Sequence, residues 1–425
     1  MDHFAYKSGR LFAENVDLAA LVAQVGTPVY VYSSATLRRH YTGIAEAFAE
    51  LNPTICFAMK SLANLSVLKL LASLGSGFDV VSGGELFRAQ RIGADMSKVV
   101  YAGVGKTDAE INQAIAAGIG LFNVESEQEF ENLSRLAKQA GKTVRTALRV
   151  NPDVDPKTHV SISTGKKETK FGVDIERAER FFASYGRDPF AQLSAIHTHI
   201  GSQITTIEPY VQAITKVIAL IDRLRTAGHA IETLDIGGGF GADYVTDQAL
   251  PPTQYAQAIL PLLRGKGLKL ILEPGRQICC NAGVLLTAVQ YVKQGGDKQF
   301  VIGDAAMNDL IRPPLYDAWH FIYPVQLASG EQPPRRTRDF HPAGAVKVDV
   351  VGGICESDDY LGKDRWLPPV QRGDLLAVYG AGAYGFTMSS QYNARPRVAE
   401  VLVEGDQFRV VRKRETYEDL IAGEE

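Results

Sequence analysis

The sequence predicts an α/β protein, a (β/α)8 barrel of the TIM type followed by a second, mostly β domain. Three observations carry that expectation. Short apolar strands alternate with amphipathic helices through the first two thirds of the chain, the texture turns β-rich after Arg276, and polar or glycine-rich residues stand directly after the strands. Strands separated by helices pair in parallel, and eight of them close most simply into a barrel. At 425 residues the chain exceeds what one core organises, so two domains fit its length.

Residues 1–28 form a leading segment expected to pack with the β domain; Leu11, Val16, Leu18, Leu21 and Val22 are its apolar positions and Gly26-Thr27-Pro28 its stop. The barrel is expected over 29–276. Residues 29–32 read as a strand, after which Ser34 can cap a helix running to about residue 51, where Asn52-Pro53 ends it. The eight strands then fall at 55–59, 78–81, 99–103, 121–124, 146–150, 193–199, 234–236 and 268–272. Helical patterns fill the gaps at 66–74, 85–92, 108–117, 127–139, 176–185, 209–227 and 253–263. Three start with a capping-box signature, Ser82-x-x-Glu85, Thr107-x-x-Glu110 and Ser126-x-x-Glu129, which satisfies exposed N–H groups of a first turn. The longest carries Val211, Ile214, Val217, Ile218 and Ile221 on one face, with Gly228 beyond as a C-cap. No helix follows the eighth strand, so 34–51 is expected to complete the outer ring. Residues 277–425 form the β domain, with strands near 284–289, 300–302, 345–351, 375–379 and 398–403 and a solvated polar, proline-rich loop at 331–338.

Composition narrows the function. An apolar share of 45%, a charged share of 22% and a net charge of -3 describe an ordinary globular chain without the basic footprint of a nucleic-acid or anionic-membrane binder. No apolar run is long enough to span a bilayer, and the first residues lack the basic and apolar stretches of a signal peptide. Cys56, Cys279, Cys280 and Cys355 lack metal-site spacing and are too few for a disulfide scaffold, so a reducing cytoplasm is expected.

In such a barrel the active site lies at the mouth formed by the C-terminal strand ends. Lys60 closes the first strand, where desolvation favours the neutral, nucleophilic amine. Gly237, Gly238 and Gly239 follow the seventh; without side chains their N–H groups can converge on a phosphate, and Arg276 lies past the eighth. Glu273 ends the eighth strand, and a carboxylate there can face a protonated ring nitrogen. His199, after the sixth, can stack its ring on a cofactor. An amine, a phosphate cup, a carboxylate and a stacking imidazole together describe a site for pyridoxal 5′-phosphate, with no metal required.

Short motifs in a fixed order strengthen this reading: Cys56-Phe57-Ala58-Met59-Lys60, Gly77-Phe78-Asp79-Val80-Val81-Ser82-Gly83-Gly84-Glu85-Leu86, Lys170-Phe171-Gly172, His197-Thr198-His199-Ile200-Gly201-Ser202-Gln203, Gly237-Gly238-Gly239-Phe240, Glu273-Pro274-Gly275-Arg276, Arg312-Pro313-Pro314-Leu315-Tyr316, Cys355-Glu356-Ser357 and Ala381-Gly382-Ala383-Tyr384. In these the chain resembles the fold type III, alanine-racemase-like decarboxylases that depend on pyridoxal phosphate, and the resemblance spans nearly its whole length. It implies that Lys60 carries the cofactor, that His199 stacks on it, that Glu273 holds the pyridine nitrogen, and that the glycines with Ser202 bind phosphate; Asp79, Gly275, Arg276 and Tyr384 complete the cofactor set. It also implies a homodimer in which Cys355, Glu356 and Tyr384 of one subunit complete the site of the other, Cys355 being the proton donor. Two departures stand out. Ser61-Leu62 intervene before the Ala63-Asn64 that usually follows the lysine, and Asp358 replaces the usual glycine after Cys-Glu-Ser.

For the substrate, Arg276 and Arg312 can fork a distal carboxylate, Glu356 can accept from a distal ammonium, and Tyr316 and Tyr384 add hydroxyls. That favours meso-2,6-diaminopimelate, decarboxylated to L-lysine, over ornithine, arginine or carboxynorspermidine, because two arginines would repel a distal ammonium. A non-catalytic regulatory homologue is the remaining alternative.

Overall fold

The structure, a computed structural model, describes residues 3–156, 170–328, 331 and 334–425. The chain divides into two compact units, one of residues 41–241 and 249–276, the other of 1–40, 242–248 and 277–425.

The first unit is the barrel. Its strands are β5 (Thr54–Ala58), β6 (Gly77–Val80), β7 (Val99–Tyr101), β8 (Leu121–Val124), β9 (Val144–Asn151), β11 (Ala191–His197), β12 (Thr233–Asp235) and β13 (Lys269–Leu272), after the four strands β1 to β4 described below. All pair in parallel, β13 with β5 and β8 with β9, so the ring closes on eight strands; the two-residue β10 (Val173–Asp174) adds outside β9. The expected barrel is therefore present, strand for strand.

Local chemistry starts and stops most helices as read, with two refinements: Ser34 is not the cap of its helix (Ser34–Ala47) but its first residue, since Ser33 Oγ accepts from Thr36 N–H at 3.1 Å and Glu14 Oε1 from Ala35 N–H at 2.9 Å, and the capping boxes differ in part. Thr107 and Glu110 form a full capping box at α5 (Asp108–Ala117). At α4 (Gly83–Arg91) and α6 (Glu127–Gln139), Ser82 and Ser126 accept the expected N–H bonds, but the partner carboxylates reach one residue further back. Glu85 Oε2 accepts from Val81 N–H at 2.8 Å and Glu129 Oε2 from Glu125 N–H at 2.8 Å, tying each helix to the strand before it. In α8 (Glu208–Thr226), Val217, Ile214 and Ile221 are buried as the period of 3.6 requires, and Gly228 follows at φ +90°.

Inward-pointing residues stack along the barrel axis. Cys56, Val100, Leu121, Ala147 and Ala195, with Ile271, form an apolar layer. Two residues further along the same strands the pleat brings Asn123, Arg149, His197 and Glu273 to the inside, nearer the C-terminal mouth.

The second unit is β-rich. β1 (Phe4–Lys7), β2 (Arg10–Ala13) and β3 (Val16–Asp17) make a small antiparallel sheet, and Leu11 N–H donates to Val325 O at 2.8 Å. A nine-stranded sheet runs β18 (Tyr360–Leu367), β17 (Val346–Val351), β15 (Lys298–Gly303), β14 (Gly283–Gly295), β4 (Val29–Ser33), β20 (Ala399–Glu404), β21 (Gln407–Arg412), with β19 (Leu375–Tyr379) on β14 and β16 (Ile322–Pro324) on β19. Here the boundary expected at residue 29 moves. β4 lies antiparallel to β14 and parallel to β20, and the barrel unit begins only at Tyr41. Every residue of β4 is buried, and a short apolar run of that kind does not say which sheet will take it. The loop expected to be solvated at 331–338 also differs: residues 332 and 333 lie outside the described residues, but Arg336 is buried and its carbonyl accepts from Thr246 N–H. No helix among the described residues is long and apolar enough to cross a membrane.

Candidate active site

The end of β5 tightens into the short turn Met59–Ser61, which lifts Lys60 to the mouth of the barrel. Parallel register sets Ala58 beside Asp79 on β6, and Lys60 Nζ meets Asp79 Oδ2 at 2.6 Å. Asp79 is fully buried, while 36% of the lysine side chain remains exposed, so the amine is tethered from below and open above. The extra Ser61-Leu62 is absorbed inside this turn: Ser61 Oγ donates to Ala58 O at 2.7 Å, Leu62 is buried, and Asn64 caps α3 (Leu65–Ser73). Gly275 lies against the same turn, since a Cβ there would stand 2.9 Å from Ser61 Oγ and 3.0 Å from the Ala58 Cβ.

Glu273 follows β13 and is 4% exposed. Asn123 Nδ2 donates to its Oε1 at 3.3 Å, and His197 Nε2 lies 3.4 Å from Oε2, within ion-pair range but outside hydrogen-bond geometry. Burial pushes the Glu273 carboxyl up, yet His197 and Lys60 outweigh it and hold the group below the usual carboxylate range. Its neighbours behave oppositely. Burial, reinforced by the charge on Glu273, raises both Asp79 and Asp235, with Lys60 partly restraining Asp79. Of the three buried acids, only Glu273 is drawn below the usual carboxylate range, and Asp79 is engaged by Lys60.

His199 is held well below the ordinary imidazole range by burial and by the charges of Arg149 and Lys60, so its ring is neutral. Gly238 N–H donates to its Nδ1 at 3.2 Å. The glycine triplet is a close-packed cradle. Gly237 and Gly239 have φ of +66° and +98°, and a Cβ on Gly238 would stand 2.1 Å from Glu273 O. Asp235 Oδ1 accepts from Gly237 N–H at 2.8 Å and fixes the start of the loop. Gly239 O accepts from Ile204 N–H at 2.9 Å, which brings in the segment carrying Ser202; Arg276 donates to Ser202 Oγ from Nε at 3.2 Å and Nη2 at 3.0 Å. Lys170-Phe171-Gly172 closes beside these: the Arg149 guanidinium lies 4.7 Å from the Phe171 ring centroid, and Glu125 Oε2 accepts from Gly172 N–H at 3.0 Å while pairing with Arg149 at 3.1 Å.

The barrel therefore brings together Lys60, Asp79, His199, Ser202, Gly237, Gly238, Gly239, Glu273, Gly275 and Arg276. Sequence reasoning missed His197, Asn123, Asp235 and the Arg149–Glu125 pair. The available signal was strand alternation, since each of the first three is a polar residue on the inner face of an apolar strand.

The other predicted residues sit in the β unit. Arg312 opens the short helix Arg312–Tyr316, buried, with Nη1 2.8 Å from His320 Nε2 and its guanidinium 4.6 Å from the Tyr244 ring centroid. His320 Nδ1 lies 2.9 Å from Tyr379 O; the carbonyl can only accept, which leaves Nε2 to accept from Arg312. Cys355 and Glu356 are exposed after β17, where Cys355 N–H donates to Asn393 Oδ1 at 2.7 Å and Tyr392 O–H to Glu356 Oε2 at 2.9 Å. Asp358 has no positive φ, so the glycine it replaces is not needed for the backbone here. Tyr316 is half-buried, as is Tyr384, which takes a φ of +54°.

A family model described as the pyridoxal-binding domain of pyridoxal-dependent decarboxylases matches residues 34–280. The diaminopimelate decarboxylase of Pseudomonas aeruginosa is 48% identical over 424 residues, 100% of this chain and 99% of the relative. This chain belongs to the diaminopimelate decarboxylase family. The family member of Aquifex aeolicus is 46% identical, covering 99% of this chain and 96% of its own. Among solved structures, diaminopimelate decarboxylase from Helicobacter pylori complexed with L-lysine aligns with a TM-score of 0.89 at 40% identity, over 96% of this chain and 98% of that one. A lysine/ornithine decarboxylase from Vibrio vulnificus, at 23% identity and a TM-score of 0.78, shares the fold alone.

The cofactor of the diaminopimelate decarboxylase family is pyridoxal 5′-phosphate, and the residues present fit it. Asp79 Oδ1 and Asn123 Oδ1 are buried polar atoms with no hydrogen-bond partner among the described residues. A Cβ anywhere on the triplet would collide with neighbouring protein atoms, so only glycines let this loop lie so close to Glu273 and His199, and Glu273, drawn below the usual carboxylate range, would supply the counter-charge that a ring N–H+ needs.

Proposed function

We propose that this chain decarboxylates meso-2,6-diaminopimelate to L-lysine and carbon dioxide, as the last step of lysine synthesis. The observation that carries the reading is Lys60, tethered by Asp79 at the same mouth as charged Glu273 and the glycine cradle, in a chain nearly half identical to diaminopimelate decarboxylases along its full length.

When bound, pyridoxal 5′-phosphate supplies an electron sink for the pair released as carbon dioxide leaves. Lys60 Nζ would hold the cofactor through its amine. Asp79 keeps that amine in place and offsets its charge. Glu273 keeps the ring nitrogen protonated, with its own charge secured by His197 and Lys60. Neutral His199 offers a flat face for the ring, oriented by Gly238. The loop Gly237-Gly238-Gly239 would take the phosphate together with Ser202, whose hydroxyl is set by Arg276, while the N–H groups of Gly237 and Gly238 go to Asp235 and His199 and hold the loop in shape. Cys355 Sγ returns a proton to the α-carbon, while Arg276, Arg312, Tyr316, Glu356 and Tyr384 hold the distal amino-carboxylate. We further place the enzyme in the cytoplasm as a homodimer with active sites shared between subunits; exposed Cys355 and Glu356 suit groups that serve a partner.

The test supplies purified protein with pyridoxal phosphate and, in parallel, meso-diaminopimelate, ornithine and arginine. L-lysine and carbon dioxide from the first alone are expected; turnover of ornithine without lysine formation would falsify the assignment.

A further inference from the structure

The apolar layer of Cys56, Val100, Leu121, Ala147, Ala195 and Ile271 divides the barrel interior. Beyond it, at the mouth where the strands begin, lies a cavity of about 80 Å3. One water needs roughly 10–15 Å3 on that measure, so the space admits a small polyatomic ion. Its lining carries the cations Lys98, Arg145 and Lys269 and the hydroxyls of Thr54, Ser97 and Thr233, and it includes no carboxylate among the described residues. None of the three cations forms an ion pair among the described residues. The nearest acid in sequence, Asp95, is engaged by Ser97, whose N–H and Oγ donate to its Oδ1 at 3.0 and 2.6 Å.

The wall is built rather than incidental. Arg145 Nη2 donates to Thr233 Oγ1 at 3.1 Å, and Thr233 is 2% exposed, so a buried hydroxyl fixes the guanidinium at the rim. Accepting that bond leaves the threonine its own proton for an acceptor in the cavity. Gly120 completes the lining at a place where a Cβ would stand 2.1 Å from Ser97 O. Like charges around a recess with low-dielectric walls raise the local anion concentration, and a guanidinium matches an oxyanion in shape.

We propose that the strand-start mouth of the barrel binds a tetrahedral oxyanion of the phosphate or sulfate class, held by Arg145 and Thr233 with Lys98 and Lys269 closing on it. This site is separate from the cofactor cradle, which lies on the other side of the apolar layer. Calorimetric titration of inorganic phosphate into cofactor-loaded protein, in dilute chloride buffer, tests it with the cradle already filled. One site per chain is expected. Arg145→Gln, and separately Lys269→Met should either variant fold poorly, weakens binding at least about tenfold while decarboxylation is unchanged, as loss of a charge-assisted bond requires. Sulfate and malonate run alongside identify the source: sulfate binding at comparable strength supports a tetrahedral dianion. Tighter binding of malonate than of either overturns that assignment. Absence of binding to the unaltered protein, or undiminished binding by the folded variants, overturns the site.

Discussion

Glu273, Asp79 and Asp235 are all buried carboxyls, yet only Glu273 is drawn below the ordinary range, because His197, and after it Lys60 and His199, outweigh burial there. In the proposed role a charged carboxylate would sustain the electron sink by pairing with the ring nitrogen, and an amide of the same shape would remove that charge. Glu273→Gln is therefore expected to retain cofactor absorbance and lower kcat by at least about tenfold, in the range that positioned proton-holding groups contribute. Arg312 tests specificity instead. Its guanidinium is buried between His320 and Tyr244 with only part of its donor set used, and Arg312→Met should raise KM for diaminopimelate by about tenfold or more, through loss of a charge-assisted bond. Equal kinetics in the variant would remove Arg312 from the binding site.

At the scale of elements, the turns after strands carry the chemistry, and their tolerances are narrow. Gly238 is pinned against the carbonyl of Glu273, so Gly238→Ala must displace one strand end relative to the other. Overpacking of that kind costs about 1–3 kcal/mol, read in denaturant melts, and cofactor retention should fall with it. The start of α4 gives a pH signature. Burial pushes Glu85 up to about 7, against the restraint of its bond from Val81 N–H. Its folded value exceeds its unfolded one, so the unfolded chain releases the proton first and stability falls as pH rises between about 4.5 and 7. Glu85→Gln keeps an acceptor for Val81 and abolishes that dependence. Relative to the unaltered protein, the variant should gain roughly 1–3 kcal/mol between pH 5 and pH 8. A constant difference across that range would show that Glu85 does not titrate there.

The whole molecule sets the last expectation. Lys60 belongs to the barrel unit and Cys355 to the β unit, and in a dimer with shared sites each chain lends one to the other. Lys60→Ala and Cys355→Ala are each expected to be inactive. Co-expressed, they should regain about a quarter of full activity, since half of randomly assorted two-fold dimers are mixed and each has one intact site. No recovery would mean that each chain completes its own site.

Much of this was legible without coordinates. Lys60, the glycine triplet and Glu273 each close a strand that announces itself by apolar composition, and the capping serines mark the helix starts that follow. The misplaced boundary at Val29–Ser33 has a different origin. That strand is chosen by partners more than 250 residues away, β14 and β20, and nothing local distinguishes a barrel strand from a strand of the second sheet.

The sequence by itself determined the alternation of strands and helices, the candidate groups at the strand ends and the family, because these are written in neighbouring residues. Only the tertiary structure decided which buried acid is drawn below the usual carboxylate range, how His197 and Asn123 reach Glu273, and that three cations face one cavity at the opposite mouth. Those outcomes depend on distance and burial, which ring closure creates between segments far apart in the chain.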